Sequence, residues 1–163
     1  MALTVERIQQ ARERISPYIV QTPMLRMKSL DRYLGCQVYV KAECMQTTGS
    51  FKLRGAVNKA LTLTPEQLKC GIVAASSGNH GKGIAYAAKM LGSKATIVVP
   101  YTTTQVKVDA IRALGAEIVQ CETPVRFQVA EELSRKLGAT MIQSFNDEDI
   151  MAGQGTAGLE IVE

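Results

Sequence analysis

The sequence has no tryptophan, only three phenylalanines and five tyrosines, and a single histidine, His80. Proteins that hold nucleic acid track phosphates with clustered basic residues and stack bases on aromatic rings. Here the 19 Lys and Arg residues are dispersed, and the net charge is +4. Arg7, Arg12 and Arg14 alternate with Glu6 and Glu13, and Lys136 follows Glu131 and Glu132. Such mixing is that of a solvated surface, so nucleic acid is excluded as a partner. The small positive excess suits an anionic small molecule. Cys36, Cys44, Cys70 and Cys121 form no Cys-x-x-Cys pair. With one histidine available, this excludes a structural zinc site and a disulfide framework. No apolar run approaches the roughly 20 residues of a membrane span, and Met1–Arg7 lacks the apolar core of a signal peptide. A membrane is not expected as a partner. Free thiols in hydrophobic surroundings then fit a reducing, cytoplasmic location.

What remains is an ordinary globular balance, 46% hydrophobic and 21% charged, in a chain of 163 residues. That length buries a core without staples. The spacing of Val5, Ile8, Ala11 and Ile15 predicts a helix with Thr4 as N-cap, and a second short helix is expected from Lys28 to Leu34, stopping at Gly35. Gln37–Lys41 reads as a strand. Phe51–Leu63 reads as a helix, and Thr64-Pro65-Glu66-Gln67 has the residues of a capped helix start. Strands are then expected at 71–75, 95–99, 117–120 and 140–142. They alternate with helices at 83–91, 104–114 and 125–137, each closed by a glycine. This alternation predicts an α/β fold, a parallel sheet in a three-layer αβα arrangement with right-handed crossovers. The chain stops at Leu159–Glu163 in what reads as a helix, so a fragment or truncated product is expected.

Three segments can carry chemistry. In Gly49-Ser-Phe-Lys52-Leu-Arg-Gly-Ala56 a lysine stands where a glycine-containing loop enters a helix. The positive end of a helix disfavours an extra cation there, and Schiff-base chemistry uses a neutral amine. The plain alternative is a solvated lysine on a first helical turn. Ala75-Ser-Ser-Gly-Asn-His-Gly-Lys-Gly83 lies between a buried strand and a helix. Its small residues let backbone N–H groups approach a carboxylate or phosphate. It has neither Walker nor dinucleotide spacing, and a tight turn capped by Ser77 or Asn79 is its plain alternative. His80 alone reads equally as a structural hydrogen bond or a substrate contact. In Ala152-Gly-Gln-Gly-Thr156, two glycines around a glutamine suggest a close backbone crossing or, equally, a turn.

Together these segments resemble the fold-type II pyridoxal-phosphate (PLP) enzymes, in the threonine/serine dehydratase (threonine ammonia-lyase) and serine racemase branch. Residues 43–56 are similar to that family's cofactor-lysine motif, Ser76–His80 to its substrate-carboxylate loop, and Gly153–Thr156 to a later signature. The resemblance covers nearly the whole chain, as the N-terminal half of such an enzyme. It implies that Lys52 carries PLP as a Schiff base and moves the substrate's α-proton. Phe51 would pack against the pyridine ring and Asn79 would bond the 3′-oxygen. Ser76, Ser77, Gly78, Asn79 and His80 would surround the substrate, with Ser77 facing Lys52 across the cofactor as a second acid–base group. It further implies a small αβα domain over residues 46–153. Residues 1–45 and 154–163 would belong to an incomplete larger domain.

The activity implied is dehydration and deamination of L-threonine or L-serine by a longer, homo-oligomeric parent, the 163 residues alone being inactive. Serine racemisation is the alternative within the enzyme class, and a non-catalytic remnant or interaction fragment the alternative outside it. Gln143-Ser-Phe-Asn146 departs from the family's His-Pro-containing stretch.

Overall fold

The computed structural model describes residues 3–163. Helix α1 (Val5–Ile15) begins at Thr4, whose side chain accepts from the Arg7 N–H, and buries Ala11 and Ile15. The chain turns at Pro17 and forms β1 (Met24–Arg26), α2 (Lys28–Leu34) and β2 (Tyr39–Lys41). Helix α2 stops at Gly35, whose φ of 69° is left-handed and suits glycine. The β1 strand is absent from the sequence reading, and β2 is shorter than the expected 37–41. The two pair antiparallel as a separate ribbon whose residues stay largely exposed.

After β2 come α3 (Lys52–Leu61), α4 (Pro65–Cys70) and β3 (Ile72–Ala75), then α5 (Asn79–Met90) and β4 (Ala95–Pro100). They are followed by α6 (Gln105–Arg112), β5 (Glu117–Cys121), α7 (Arg126–Leu137), β6 (Thr140–Met141) and α8 (Glu148–Val162). Both bonds of the capping box at Thr64 and Gln67 are present. The expected parallel sheet forms, in strand order β5-β4-β3-β6.

Alternate strand residues point to opposite faces. Ile72, Ala74, Ile97 and Val99 pack into one core with Leu53, Ile84 and Ile111 from α3, α5 and α6. Val73 and Val98 pack into a smaller one with Ala130 of α7. Helices α5 and α6 therefore cover one face and α7 the other. The winding direction reverses between β3 and β6. In sheets of this kind the crevice at the carboxyl ends of the strands flanking that reversal is where ligands bind. Ser76–Gly78 leave β3 at that point, and Gln143–Asn146 follow β6.

Two expectations change. Helix α5 starts at Asn79 and not at Gly83, so His80, Gly81 and Gly83 are helical. Glycine disfavours a helix interior, but packing overrides this. A Cβ at Gly81 would lie 2.6 Å from the Ser76 carbonyl, and one at Gly83 would lie 3.1 Å from the Ala56 Cβ. Residues 152–156 are the middle of α8 and not a turn. Their glycines do mark a backbone crossing. A Cβ at Gly153 would sit 2.5 Å from the Arg54 carbonyl and 2.7 Å from the Gly55 Cα, so α8 crosses α3 at backbone contact. The cysteines also differ from expectation. All four are free thiols, but Cys36, Cys44 and Cys70 are exposed, and Cys121 alone is buried. Among the described residues no helix is long and apolar enough to cross a membrane.

Beneath the crossing lies an ionic cluster that sequence reasoning missed. Arg54 has no solvent exposure. Its guanidinium forms paired bonds to Glu43 (2.9 and 2.8 Å) and to Glu160 (2.6 and 2.9 Å). Lys41 also reaches Glu160, and the Thr22 hydroxyl donates to Glu43 at 2.6 Å. Burial raises the affinity of Glu160 for a proton, but the bonds from Arg54 and Lys41 outweigh it and hold the carboxyl below its ordinary value. Asp149 is likewise lowered, with burial opposed and exceeded by Lys59 and Arg7.

Carboxyls lowered by folding add stability that is complete above their unfolded value, about 4, and is lost as pH falls through the folded value. The thermal midpoint should therefore hold through the neutral range and drop as the pH falls below about 5. Circular dichroism melts across a pH series measure it, and a midpoint unchanged through strong acid would contradict the cluster's role.

Candidate functional site

Lys52 is the first residue of α3. The loop before it turns at Gly49, with φ 74°, and the Ser50 hydroxyl accepts the Lys52 N–H at 3.2 Å, which starts the helix there. The Lys52 side chain is half-buried, not free in solvent. Its Nζ lies 5.0 Å from the centre of the Phe51 ring and 3.5 Å from Oε1 of Gln154 on α8. Phe51 is 39% exposed, so its ring is open for another flat group to stack on.

The Ser76–His80 turn leads into α5, which packs directly on α3, and the charge of Lys52 acts on the His80 ring. A Cβ on Gly83 would come 3.3 Å from the Lys52 carbonyl. Ser76 extends the β3 ladder with a bond from its N–H to the Val98 carbonyl, and the Gly78 N–H turns back to the Ser76 hydroxyl at 3.3 Å. Gly78 precedes the first residue of α5, and no side chain caps that helix. The N–H groups of its first turn are thus left for an anion, where the helix dipole favours negative charge. Ser77, Gly78 and Asn79 line a cleft of about 210 Å³ with Lys82 of α5 and Val106, Lys107, Ala110 and Ile111 of α6.

His80 makes the structural hydrogen bond of its first sequence reading. Its Nε2 lies 3.2 Å from the Ile142 carbonyl, which ties the turn after β3 to the end of β6. A carbonyl only accepts, so Nε2 carries the hydrogen. Burial lowers the affinity of the ring for a second proton. The Ile142 bond opposes this, and the charge of Lys52 lowers it further. The imidazole is therefore neutral, and its Nδ1, buried without a partner, presents a lone pair. A carboxylate contact would require a proton on Nδ1 as well. The neutral ring fits a donor.

The comparison with known families is decisive. Residues 15–163 match the model of the pyridoxal-phosphate dependent enzymes. The chain belongs to that family. It is 43% identical over 160 residues to the catabolic L-threonine dehydratase of Staphylococcus aureus, covering 96% of this chain and 46% of the relative. It is 37% identical over 164 residues to the serine racemase of Oryza sativa, covering 99% of this chain and 48% of the relative. Among solved structures, a pyridoxal 5′-phosphate-dependent aspartate racemase superimposes with a TM-score of 0.94 at 44% identity, covering 99% of this chain and 51% of that one. The chain thus spans about half the length of the curated relatives it matches.

The cofactor of the family is PLP, and the residues present fit it. A half-buried primary amine stands next to an open aromatic face, on the helix against which the uncapped α5 packs. Two buried polar atoms, Nε2 of the Gln154 that meets the amine and Nδ1 of the His80 ring that feels its charge, have no partner among the described residues. A polar ligand in this crevice would end that isolation. Of the residues singled out in the sequence, Lys52 and Phe51 meet Gln154 of the Gly153–Thr156 segment, while Ser77, Gly78 and Asn79 line a cleft against α6. Arg54 and Gln154 were not foreseen. Both lie inside recognised segments, but the Glu160 that Arg54 joins to nearby Glu43 and the Lys52 that Gln154 meets are 106 and 102 residues away.

Proposed function

We propose that the protein to which this chain belongs converts L-threonine or L-serine to a 2-oxo acid and ammonia, using PLP held by Lys52. The observation that carries the reading is the Lys52 amine, half-buried at the entrance to α3, the helix against which α5 with its uncapped start packs. When bound, PLP supplies an electron sink for the pair released when a bond to the substrate's α-carbon breaks. Lys52 would hold it covalently and, when its amine is free, take the α-proton as a base. The Phe51 ring would lie against the flat face of the cofactor, and the Asn79 amide would bond its phenolic oxygen. The substrate carboxylate would rest on the hydroxyls of Ser76 and Ser77 and the uncapped N–H groups of the first turn of α5. Departure of the β-hydroxyl needs a proton, and removal of the α-hydrogen on the same site supplies one.

Ser77 supports a second reading, racemisation, because its hydroxyl lines the cleft with Gly78 and Asn79. A second proton donor facing Lys52 is what inversion needs, and two of the similar proteins named above are racemases. On the same reading residues 46–153 form the smaller domain, with 1–45 and 154–163 belonging to a larger one. The β1–β2 ribbon, separate from the parallel sheet, supports that division. Turnover is assigned to protein of the relatives' length, and the 163 residues alone should release no 2-oxo acid.

The test is an absorbance scan with added PLP, then borohydride reduction and peptide mapping. The label is expected on Lys52 and should vanish from Lys52→Ala. A label on other lysines only would overturn the reading in favour of a non-catalytic role. Measuring 2-oxo acid beside D-serine with protein of the relatives' length separates the two reactions, and D-serine without 2-oxo acid would select the racemase.

A further inference from the structure

The Lys52 amine meets one side-chain acceptor, Oε1 of Gln154, at 3.5 Å. That contact is built by the helix crossing. Gln154 lies one residue after Gly153, which brings α8 onto α3, and its side chain runs through the space that Gly55 leaves empty. A Cβ at Gly55 would lie 3.0 Å from Gln154 Cγ and 3.1 Å from its Nε2. The amide orientation is set by the lysine. An amine donates, so it faces the oxygen, and Nε2 is left buried with no partner. A buried amide donor without a partner is unfavourable, and such exceptions call for an explanation. Turning the amide over would place its N–H against the Lys52 amine, donor against donor.

We propose that Gln154 is a positioning residue for Lys52, its carbonyl anchoring and orienting the ε-amine. A neutral amide suits this task better than a carboxylate or an alkyl group. A carboxylate at the same place would hold the amine in its charged form and block attack on an aldehyde, and an alkyl group would leave the amine unanchored. The inference rests on the reading of Lys52 as the reactive amine, but its test does not need the cofactor.

Acetylation by acetic anhydride reports the nucleophilicity of each lysine, quantified by peptide mass. Lys59, on the same helix and paired to Asp147 and Asp149 at 2.9 and 3.0 Å, serves as the internal reference. In Gln154→Glu, acetylation of Lys52 at neutral pH should be about tenfold slower than in the wild-type chain, and this slowing should disappear at high pH, where the amine is neutral in both. In Gln154→Leu, acetylation should instead be faster, by about two- to fivefold. Opposite signs with a pH dependence are not produced by a merely structural role, which would move both variants the same way or neither. Gln154→Met replaces the leucine variant if circular dichroism shows that variant unfolded, with the same expectation.

Equal Lys52 acetylation in the wild-type chain and both variants would overturn the proposal. If acetylation follows the expected pattern while PLP maps to another lysine, the positioning role stands and the functional reading falls. If PLP maps to Lys52 and neither variant differs, the positioning role alone falls.

Discussion

Arg54→Ala should destabilise the chain by about 3–5 kcal/mol, at or above the level that leaves many domains only marginally folded. The reason is an imbalance of buried charge. In the native chain the guanidinium is fully buried and forms paired bonds to two carboxylates, with the Thr156 hydroxyl as a further neighbour at 3.2 Å. Removing it leaves Glu43 and Glu160 facing each other's charge with Lys41 as a remaining cation. Each then loses a charge-assisted bond with little water to replace it. Arg54→Lys should recover little, because an ammonium cannot bridge two carboxylates with paired, planar bonds. Denaturant melts measure the loss. Arg54→Met combined with Lys41→Met, Glu43→Gln and Glu160→Gln should cost much less than the sum of its parts, since removing the whole cluster strands no charge. Additive losses would show that Arg54 acts through packing.

Gly153→Val should be the second severe change, costing about 3 kcal/mol or more. The added Cβ would meet the Arg54 carbonyl at 2.5 Å and the Gly55 Cα at 2.7 Å, and these are backbone atoms that cannot rotate aside. Helix α8 would have to lift from α3, which would also withdraw Gln154 from Lys52 and disturb the Arg54 cluster below. Gly158→Ala on the same helix is the control. Nothing lies within 4 Å of its Cβ position, so replacing an exposed helical glycine should stabilise by about 0.5–1 kcal/mol. Equal effects at the two positions would show that helix propensity, and not the crossing, governs the change at 153.

Much of the fold was legible because its signals are local. The Thr4 cap, the capping box at Thr64 and Gln67 and the left-handed Gly35 and Gly138 are decided within a few residues of chain. The strands at 72–75 and 95–100 are short apolar runs bounded by such signals. What misled the reading was also local. Glycines at 81, 83, 153 and 155 resemble loop or turn residues, and nothing near them in the chain says that another helix passes over each. The β1 strand has only three residues and exists through its pairing with β2. At the site, Lys52 and Ser76–His80 stood out because their residue types are unusual for a plain helix start or turn.

Most strands and helices, the family resemblance and the lysine proposed to carry the cofactor could be read from residue type and near-neighbour spacing. Only the tertiary structure decided that Gln154 faces that lysine, that His80 is neutral with a free lone pair, and that Arg54 joins Glu43 to Glu160. Each depends on groups 62 to 106 residues apart, brought together by the reversal of the sheet and the crossing of α3 with α8. No local preference encodes such a meeting. It follows from which helix faces have to be buried against each other, and that is settled for the whole chain at once.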